Sequence, residues 1–254
     1  MTEVTDSVVY TALEDGNDGL RAEIVTQLLG LGITRIGGGG AGLFGLSPKG
    51  VYSASSSEPL SGMRLHEVAV GGQCAVAIGN DPGNEAKKGL YSWGVGDLGE
   101  LGLGPSTTFT DSPRRINYQG SFTQICSGAT HSVALDDRGN AYAWGQNFDK
   151  QLGLYTKKIS NMQSIREVSQ TEDVLFSPRF LPISLQRPIM KVSCGDSFTA
   201  VVTRAGEVWT WGSGECGQLG TGRCTYRELP AEVKLTEVVQ TRKTSDTRGN
   251  ISTK

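Results

Sequence analysis

Ile125–Leu154 read ICSGATHSVALDDRGNAYAWGQNFDKQLGL, and this stretch decides the fold. Gly128 precedes a short apolar run, His131–Leu135. A turn at Arg138-Gly139-Asn140 leads to a second run that closes on Trp144-Gly145. Ala141-Tyr142-Ala143-Trp144 alternates, which sends every second side chain to one face of a sheet. Glycine suits the turn because it accepts positive φ without a Cβ clash. A second turn then ends on Gln151-Leu152-Gly153.

The same frame occurs twice more. One copy combines VAVGGQCAVAI (Val68–Ile78) with GLYSWGVGDLGELGLG (Gly89–Gly104); the other is VSCGDSFTAVVTRAGEVWTWGSGECGQLGTG (Val192–Gly222). The recurring residues are Gly71, Trp93 and Gly94; Gly128, His131, Trp144 and Gly145; Gly195, Trp211 and Gly212. Gly128 to Trp144 and Gly195 to Trp211 both span 16 residues. Gly71 to Trp93 spans 22, because NDPGNEAKK lengthens that hairpin. Trp93 and Trp144 lie 51 residues apart, and Trp144 and Trp211 lie 67 apart, so the excess maps to a loop at Tyr155–Phe176. A degenerate copy precedes these, RIGGGGAGLFGLSPKGVYSAS (Arg35–Ser55), with Ala54 where the tryptophan should stand and no Leu-Gly turn after it. The glycine after each tryptophan is expected to let backbone pass close to a packed indole. Each unit has an apolar face too small to be stable alone, so units must stack.

This frame resembles the regulator of chromosome condensation repeat family. The motif is carried most fully by Gly128, His131, Ala134, Gly139, Tyr142, Trp144, Gly145, Asn147, Gln151, Leu152 and Gly153. The resemblance implies an all-β chain, a β-propeller whose blades are four-stranded antiparallel sheets, usually seven to a ring. This sequence departs in places: Cys74 and Phe198 stand at the histidine position of the other copies, and Glu100 replaces a glutamine. The repeats are expected over 31–235, as units 31–67, 68–124, 125–191 (with the loop 155–176) and 192–235. Residues 1–30 form an extension, and the polar tail 236–254 is expected to be disordered. About four blades' worth is a partial propeller, since seven units at a 51-residue spacing exceed the 254 residues present. Closure could come from a second chain or an oligomer, from a smaller ring, or the sequence could be a shortened product; the polar tail favours the last.

Composition narrows the function classes. Glycine is abundant at 35 residues, with nine prolines and no collagen period, which suits β-structure rich in tight turns. The net charge of −2 offers no clustered positive charge for a nucleic acid, so protein partners are expected and direct nucleic-acid binding is not. The acidic N-terminus has no signal-like apolar run, and no window is long and apolar enough to span a membrane. An intracellular location, cytoplasmic or nuclear, is expected. Five cysteines without a C-x-x-C pair read as free thiols, and two histidines make a zinc site improbable. No cofactor or metal is implied. NDGLRAEIVTQLLG (Asn17–Gly30) carries Leu20, Ile24 and Leu28 in an i, i+4, i+8 stripe and predicts one short N-terminal helix that lies across a blade or binds a partner, the first being the blander reading.

Three tempting motifs yield to structural readings. Gly37, Gly39 and Gly42 fit G-x-G-x-x-G, but a phosphate loop must open a helix, and LFGLSPKGVYSAS reads as strand and turn. His131, Ser132 and Asp136 or Asp137 suggest a hydrolytic triad, which only geometry could establish; a structural hydrogen bond is expected for His131. Trp93, Trp144 and Trp211 are repeat tryptophans, expected to pack blades rather than act as chromophores. No catalytic residue is expected. Partner binding is assigned to loop residues Asp97, Glu100, Asp149, Lys150, Lys157, Lys158, Arg166 and Glu215. The Tyr155–Phe176 loop is either a binding element or a tolerated insertion. The function expected is a non-catalytic interaction scaffold. The alternatives are a guanine-nucleotide exchange factor for a small GTPase, as in the family's founding member, or a chromatin-associated adaptor for a histone-modifying enzyme. Exchange would work through binding energy and needs no acid, base or nucleophile.

Overall fold

Each sequence unit folds as the same antiparallel meander, and its alternating apolar side chains meet those of the next unit. The computed structural model describes residues 10–15, 19–24, 31–53, 59–61, 63–81, 84–118, 120–154, 176–183, 185–234, 244–245 and 251–252. Strands β1 (Tyr10–Asp15) and β2 (Gly19–Ile24) form a hairpin with Tyr10 opposite Ile24. This corrects the helix expected over Asn17–Gly30, at least at Gly19–Ile24. Leu20, Ala22 and Ile24 also sit at alternate positions, so the same residues satisfy a period of two. Cross-strand pairing with residues 10–15 decides between the two periods. Val25–Gly30 lie outside the described residues.

Four four-stranded sheets follow. The first is β3 (Arg35–Gly39), β4 (Gly42–Ser47), β5 (Gly50–Ser53) and β6 (Pro59–Ser61). The second is β7 (Leu65–Val70), β8 (Cys74–Asp81), β9 (Asn84–Val95) and β10 (Phe109–Arg115). The third is β11 (Phe122–Ser127), β12 (His131–Asp136), β13 (Ala141–Gln146) and β14 (Phe176–Pro182). The fourth is β15 (Ile189–Cys194), β16 (Phe198–Thr203), β17 (Val208–Gly212) and β18 (Arg227–Val233). The degenerate first copy is thus a full blade, and the chain forms a four-blade partial propeller. In the tail, the described Thr244–Ser245 (β19) and Ile251–Ser252 (β20) pair with each other, where the sequence predicts disorder.

The repeat register explains the tryptophans. Trp93 faces Ala75, Trp144 faces Ser132 and Trp211 faces Thr199, each opposite the fourth residue after the unit's glycine. Apolar cores lie between the blades. Phe44, Leu46, Ala75 and Trp93 fill the first seam; Val76, Ile78, Ala134 and Trp144 the second; Val133, Leu135, Val201 and Trp211 the third. Burying a large side chain contributes about 1.5–3 kcal/mol, so stacking supplies what an isolated blade lacks.

The seams are also hydrogen-bonded. At the turns between first and second strands, the Ala41 N–H donates to Gly71 O (3.1 Å), Gly72 N–H to Ala129 O (2.8 Å) and Ala129 N–H to Asp196 O (3.0 Å). A Cβ on Gly71 would stand 2.8 Å from Gly128 O, and one on Gly128 2.4 Å from Gly195 O. This ladder needs glycine because main chain meets main chain. Gly37 and Gly39 belong to it, Gly37 lying under Val68 and Gly39 against Val70 O, whereas a Cβ on Gly42 would meet only the Phe44 ring of its own blade. The segment is strand, turn and strand, with no helix to hold a phosphate.

Candidate partner-binding end

The meander puts two kinds of loop at the same end of each blade, the first-to-second turn and the third-to-fourth connection. Backbone bonds tie them together: Val95 N–H donates to Gln73 O, Gln146 N–H to Thr130 O and Ser213 N–H to Ser197 O, at 2.8–2.9 Å. The glycine after each tryptophan makes this approach. Gly94, Gly145 and Gly212 have φ of 106°, 99° and 102°, and a Cβ on each would meet a facing carbonyl at 2.5 Å. The expectation that these glycines clear the indole is corrected. That duty falls on the Leu-Gly glycine, since a Cβ on Gly102 would lie 2.9 Å from Trp144 and one on Gly153 2.5 Å from Trp211, both in the following blade.

The third-to-fourth connections share one internal bond. The Leu98 N–H donates to Glu100 Oε2 (2.8 Å), Asp149 N–H to Gln151 Oε1 (3.0 Å) and Cys216 N–H to Gln218 Oε1 (2.9 Å). Glu100, expected from sequence to bind a partner, is half-buried and turns its carboxylate into its own loop. Burial raises its pKa, against the backbone N–H groups that lower it. What points outward is Asp97, Phe148, Asp149 and Glu215, all exposed; Phe148 keeps half its surface in solvent. Lys150 sits at φ 64°, where the other two blades place Gly99 and Gly217, and is partly buried. Exposed Asp196, on the first-to-second turn of the fourth blade, adds a further acid to this end. Lys157, Lys158 and Arg166 fall outside the described residues, as do 155–175 of the loop; Phe176 already belongs to β14. The opposite end differs in sign. Its turns, connectors and strand ends carry exposed Lys49, Lys87, Lys88, Arg138, Arg187 and Arg204, against exposed Asp137 and partly buried Glu207, which pairs with Arg187. Among the described residues the first end thus carries an excess of acid, with Lys150 and exposed Arg223 as its counter-charges, and the opposite end an excess of base.

The triad residues are not brought together. His131 Nε2 meets Thr199 Oγ1 across the seam (3.0 Å), and Thr199 donates to Gln151 O (2.9 Å). Ser132 Oγ pairs with Ser127 Oγ (3.0 Å). Asp136 holds the turn it precedes, accepting from the Arg138 and Asn140 N–H groups at 3.0 and 2.8 Å. The tryptophans serve the seams as well: Trp144 Nε1 donates to Glu100 O and Trp211 Nε1 to Gln151 O, each at 2.9 Å. Trp93 Nε1 is buried without a partner among the described residues. Its blade neighbour's matching turn falls near residues 54–58, outside them. Among the described residues no three His, Cys, Asp or Glu side chains converge as metal ligands, and no helix is long and apolar enough to cross a membrane. Sequence reasoning missed Phe148 and Asp196. Both lie at loop positions whose exposure only the register reveals.

Comparison with known proteins fits this geometry. The family model described as regulator of chromosome condensation (RCC1) repeat matches residues 89–135, 138–202 and 205–243. A second model of the same description matches 122–151 and 189–218. Mouse E3 ubiquitin-protein ligase HERC2 is 30% identical over 197 residues, 76% of this chain and 4% of that one. Human RCC1 domain-containing protein 1 is 29% identical over 197 residues, 68% of this chain and 50% of that one. The chain thus spans half the length, or much less, of these relatives. Among solved structures, Prp20p of Saccharomyces cerevisiae superposes with a TM-score of 0.72 at 18% identity, covering 92% of this chain and 60% of that one.

Proposed function

Because this chain belongs to the regulator of chromosome condensation repeat family, we propose that it works as a non-catalytic interaction module whose acidic end holds a protein partner. The observation that carries this reading is the set of homologous loops presenting exposed Asp97, Asp149 and Glu215, with exposed Phe148 in the loop of the third blade. An exposed aromatic side chain with a polar, charged rim is a common form of protein-binding surface. The polar residues of the repeat motif support it from the other side, since His131, Asp136, Thr199 and Gln151 are occupied in holding the blades. A partner with a basic patch fits this end by charge.

The test compares partners captured by the wild-type chain and by a D97K/D149K/E215K variant of equal thermal midpoint. Loss of the same partners, with none lost by the basic-end variants, supports the reading. Retention of every partner overturns it. Exchange on a small GTPase is the alternative that the family offers, and Prp20p, whose fold this chain shares, has binding properties toward Gsp1p and histones. Release of a fluorescent guanine nucleotide from candidate GTPases distinguishes it; acceleration over the intrinsic rate would favour exchange.

A second contact surface is the outer face of the fourth blade. Val133, Leu135 and Ala141 are buried by the next blade, whereas their counterparts Ala200, Val202 and Val208 are only partly buried. A further blade or a second copy would cover them, and the oligomeric mass in solution tells the two apart.

A further inference from the structure

Cys126 lies near the end of the inner strand of the third blade and Cys194 ends that of the fourth. They are 68 residues apart in sequence, yet their sulfurs are 2.7 Å from each other. A covalent S–S bond is about 2.05 Å long, so joining them needs only a small adjustment of side chains. Both residues are partly buried, packed against the core of this seam. Their surroundings are unequal. Beside Cys194 stand His131 and Thr199, while Cys126 lies under the weaker influence of Glu67.

We propose that Cys126 and Cys194 form a reversible, peroxide-sensitive thiol pair that locks the third blade to the fourth. Cys194 is the attacking sulfur. Burial raises its pKa, but the hydrogen bond from Cys126, the charge and hydrogen bond of His131 and the bond from Thr199 outweigh this and bring it to about 6. Burial pushes Cys126 well above the usual thiol range, which suits a resolving thiol. Cys74 provides the contrast: burial and then Glu100 hold it up at about 12, so it stays inert.

The chemistry balances with one hydroperoxide. The Cys194 thiolate attacks one oxygen of hydrogen peroxide; an S–O bond forms, the O–O bond breaks, and hydroxide leaves, taking up the proton that the thiol gave. The Cys126 sulfur then attacks Cys194 sulfur; the S–S bond forms, the S–O bond breaks, and water leaves with the Cys126 proton. Two thiols are oxidised and one peroxide is reduced to two waters. In a reducing compartment the thiols are the resting form and the bond is transient. Its closure constrains a 68-residue loop and adds a covalent tie to a seam already held by packing and by hydrogen bonds such as His131–Thr199, Trp211–Gln151 and Ala129–Asp196.

The test uses the full chain with C216S and C224S, so that the exposed cysteines do not compete. The protein is treated with one equivalent of hydrogen peroxide, alkylated, and mapped by mass spectrometry without reduction. The expected result is one cross-linked peptide pair through Cys126 and Cys194, two hydrogens lighter and reversed by dithiothreitol. The thermal midpoint of the oxidised form should rise by several degrees. In C126A, Cys194 should accumulate as a sulfenic acid that dimedone traps. Alkylation of both cysteines after peroxide, a sulfinic acid at Cys194 without the link, or a link to Cys74 would each overturn the proposal. If C126A does not fold, the map of the native pair decides alone.

Discussion

Gly153 of the third blade lies against the indole of Trp211 in the fourth, close enough that a Cβ would stand 2.5 Å from Nε1. Its φ is +62°, which penalises any side chain as well. Gly104 has φ +98° but open space around it. The pair separates the two effects. Gly104→Ala should cost about 1 kcal/mol, the backbone share alone. Gly153→Ala should cost about 3 kcal/mol, because a buried ring must also move. Denaturant unfolding of both variants measures the difference; equal losses would refute the role given to the indole contact.

The Thr199 hydroxyl of the fourth blade meets two groups of the third, His131 Nε2 and Gln151 O. Removing it in Thr199→Val leaves His131 Nε2 without its partner and takes one of two donors from Gln151 O, the other being Trp211. The volume is conserved, so the loss is that of buried polar groups left unmet, about 1–3 kcal/mol. Thr199→Ser should retain most of it. Similar stability in the Val and Ser variants would speak against the network.

Glu67 and Glu100 stand where the third blade carries Gln124 and Gln151. Glu67 accepts from the Ile125 N–H (3.5 Å), whereas Gln124 both accepts from Val192 N–H (3.3 Å) and donates to Met190 O (2.9 Å). Burial raises both carboxyls above the usual 4.5, against the backbone N–H groups that favour the charged form. The folded chain thus holds these protons more tightly than the unfolded one. That contribution is present below pH 4.5 and is lost as the pH rises through the elevated folded values. Glu67→Gln and Glu100→Gln should therefore stabilise the chain near neutral pH, with a gain that shrinks on acidification. Thermal midpoints at about pH 7 and about pH 4 check the sign.

Lys150 occupies the left-handed region where its two counterparts are glycine. Lys150→Gly should relieve backbone strain of about 1 kcal/mol, less the added freedom of the unfolded chain. A small rise in the unfolding midpoint is the expected outcome, and a fall would show that contacts of the lysine side chain outweigh the strain.

Much of the blade plan is legible in Ile125–Leu154, because glycine, alternation and Trp-Gly each report a local constraint. The first blade is legible even without its tryptophan, since Gly39 and Gly50 mark its turns and Gly45 a strand position packed against Ile33. The N-terminal hairpin is not. Leu20 and Ile24 fit both periods, and the choice depends on pairing with residues 10–15, which no local pattern encodes. The two glycines of each tryptophan are likewise easy to confuse. The indole meets the glycine of the preceding unit, a contact between residues 58 apart in the case of Gly153 and Trp211. Asp97, Asp149 and Glu215 stand out because they sit in loops, but Glu100 is indistinguishable from them until its carboxylate is seen folded inward. The thiol pair is hidden for a related reason: Cys126 and Cys194 are not at equivalent positions of their repeats, so no comparison of units brings them together.

The blade-to-blade tryptophan bonds end on main-chain carbonyls, Glu100 in one seam and Gln151 in the next, at the same 2.9 Å. A carbonyl is present whatever side chain follows it. The ladder at the turns is likewise built from peptide groups. A unit can therefore be duplicated, exchanged or inserted beside a stranger and still find its acceptor waiting, so the architecture grows by copying while the side chains at its two ends stay free to diversify.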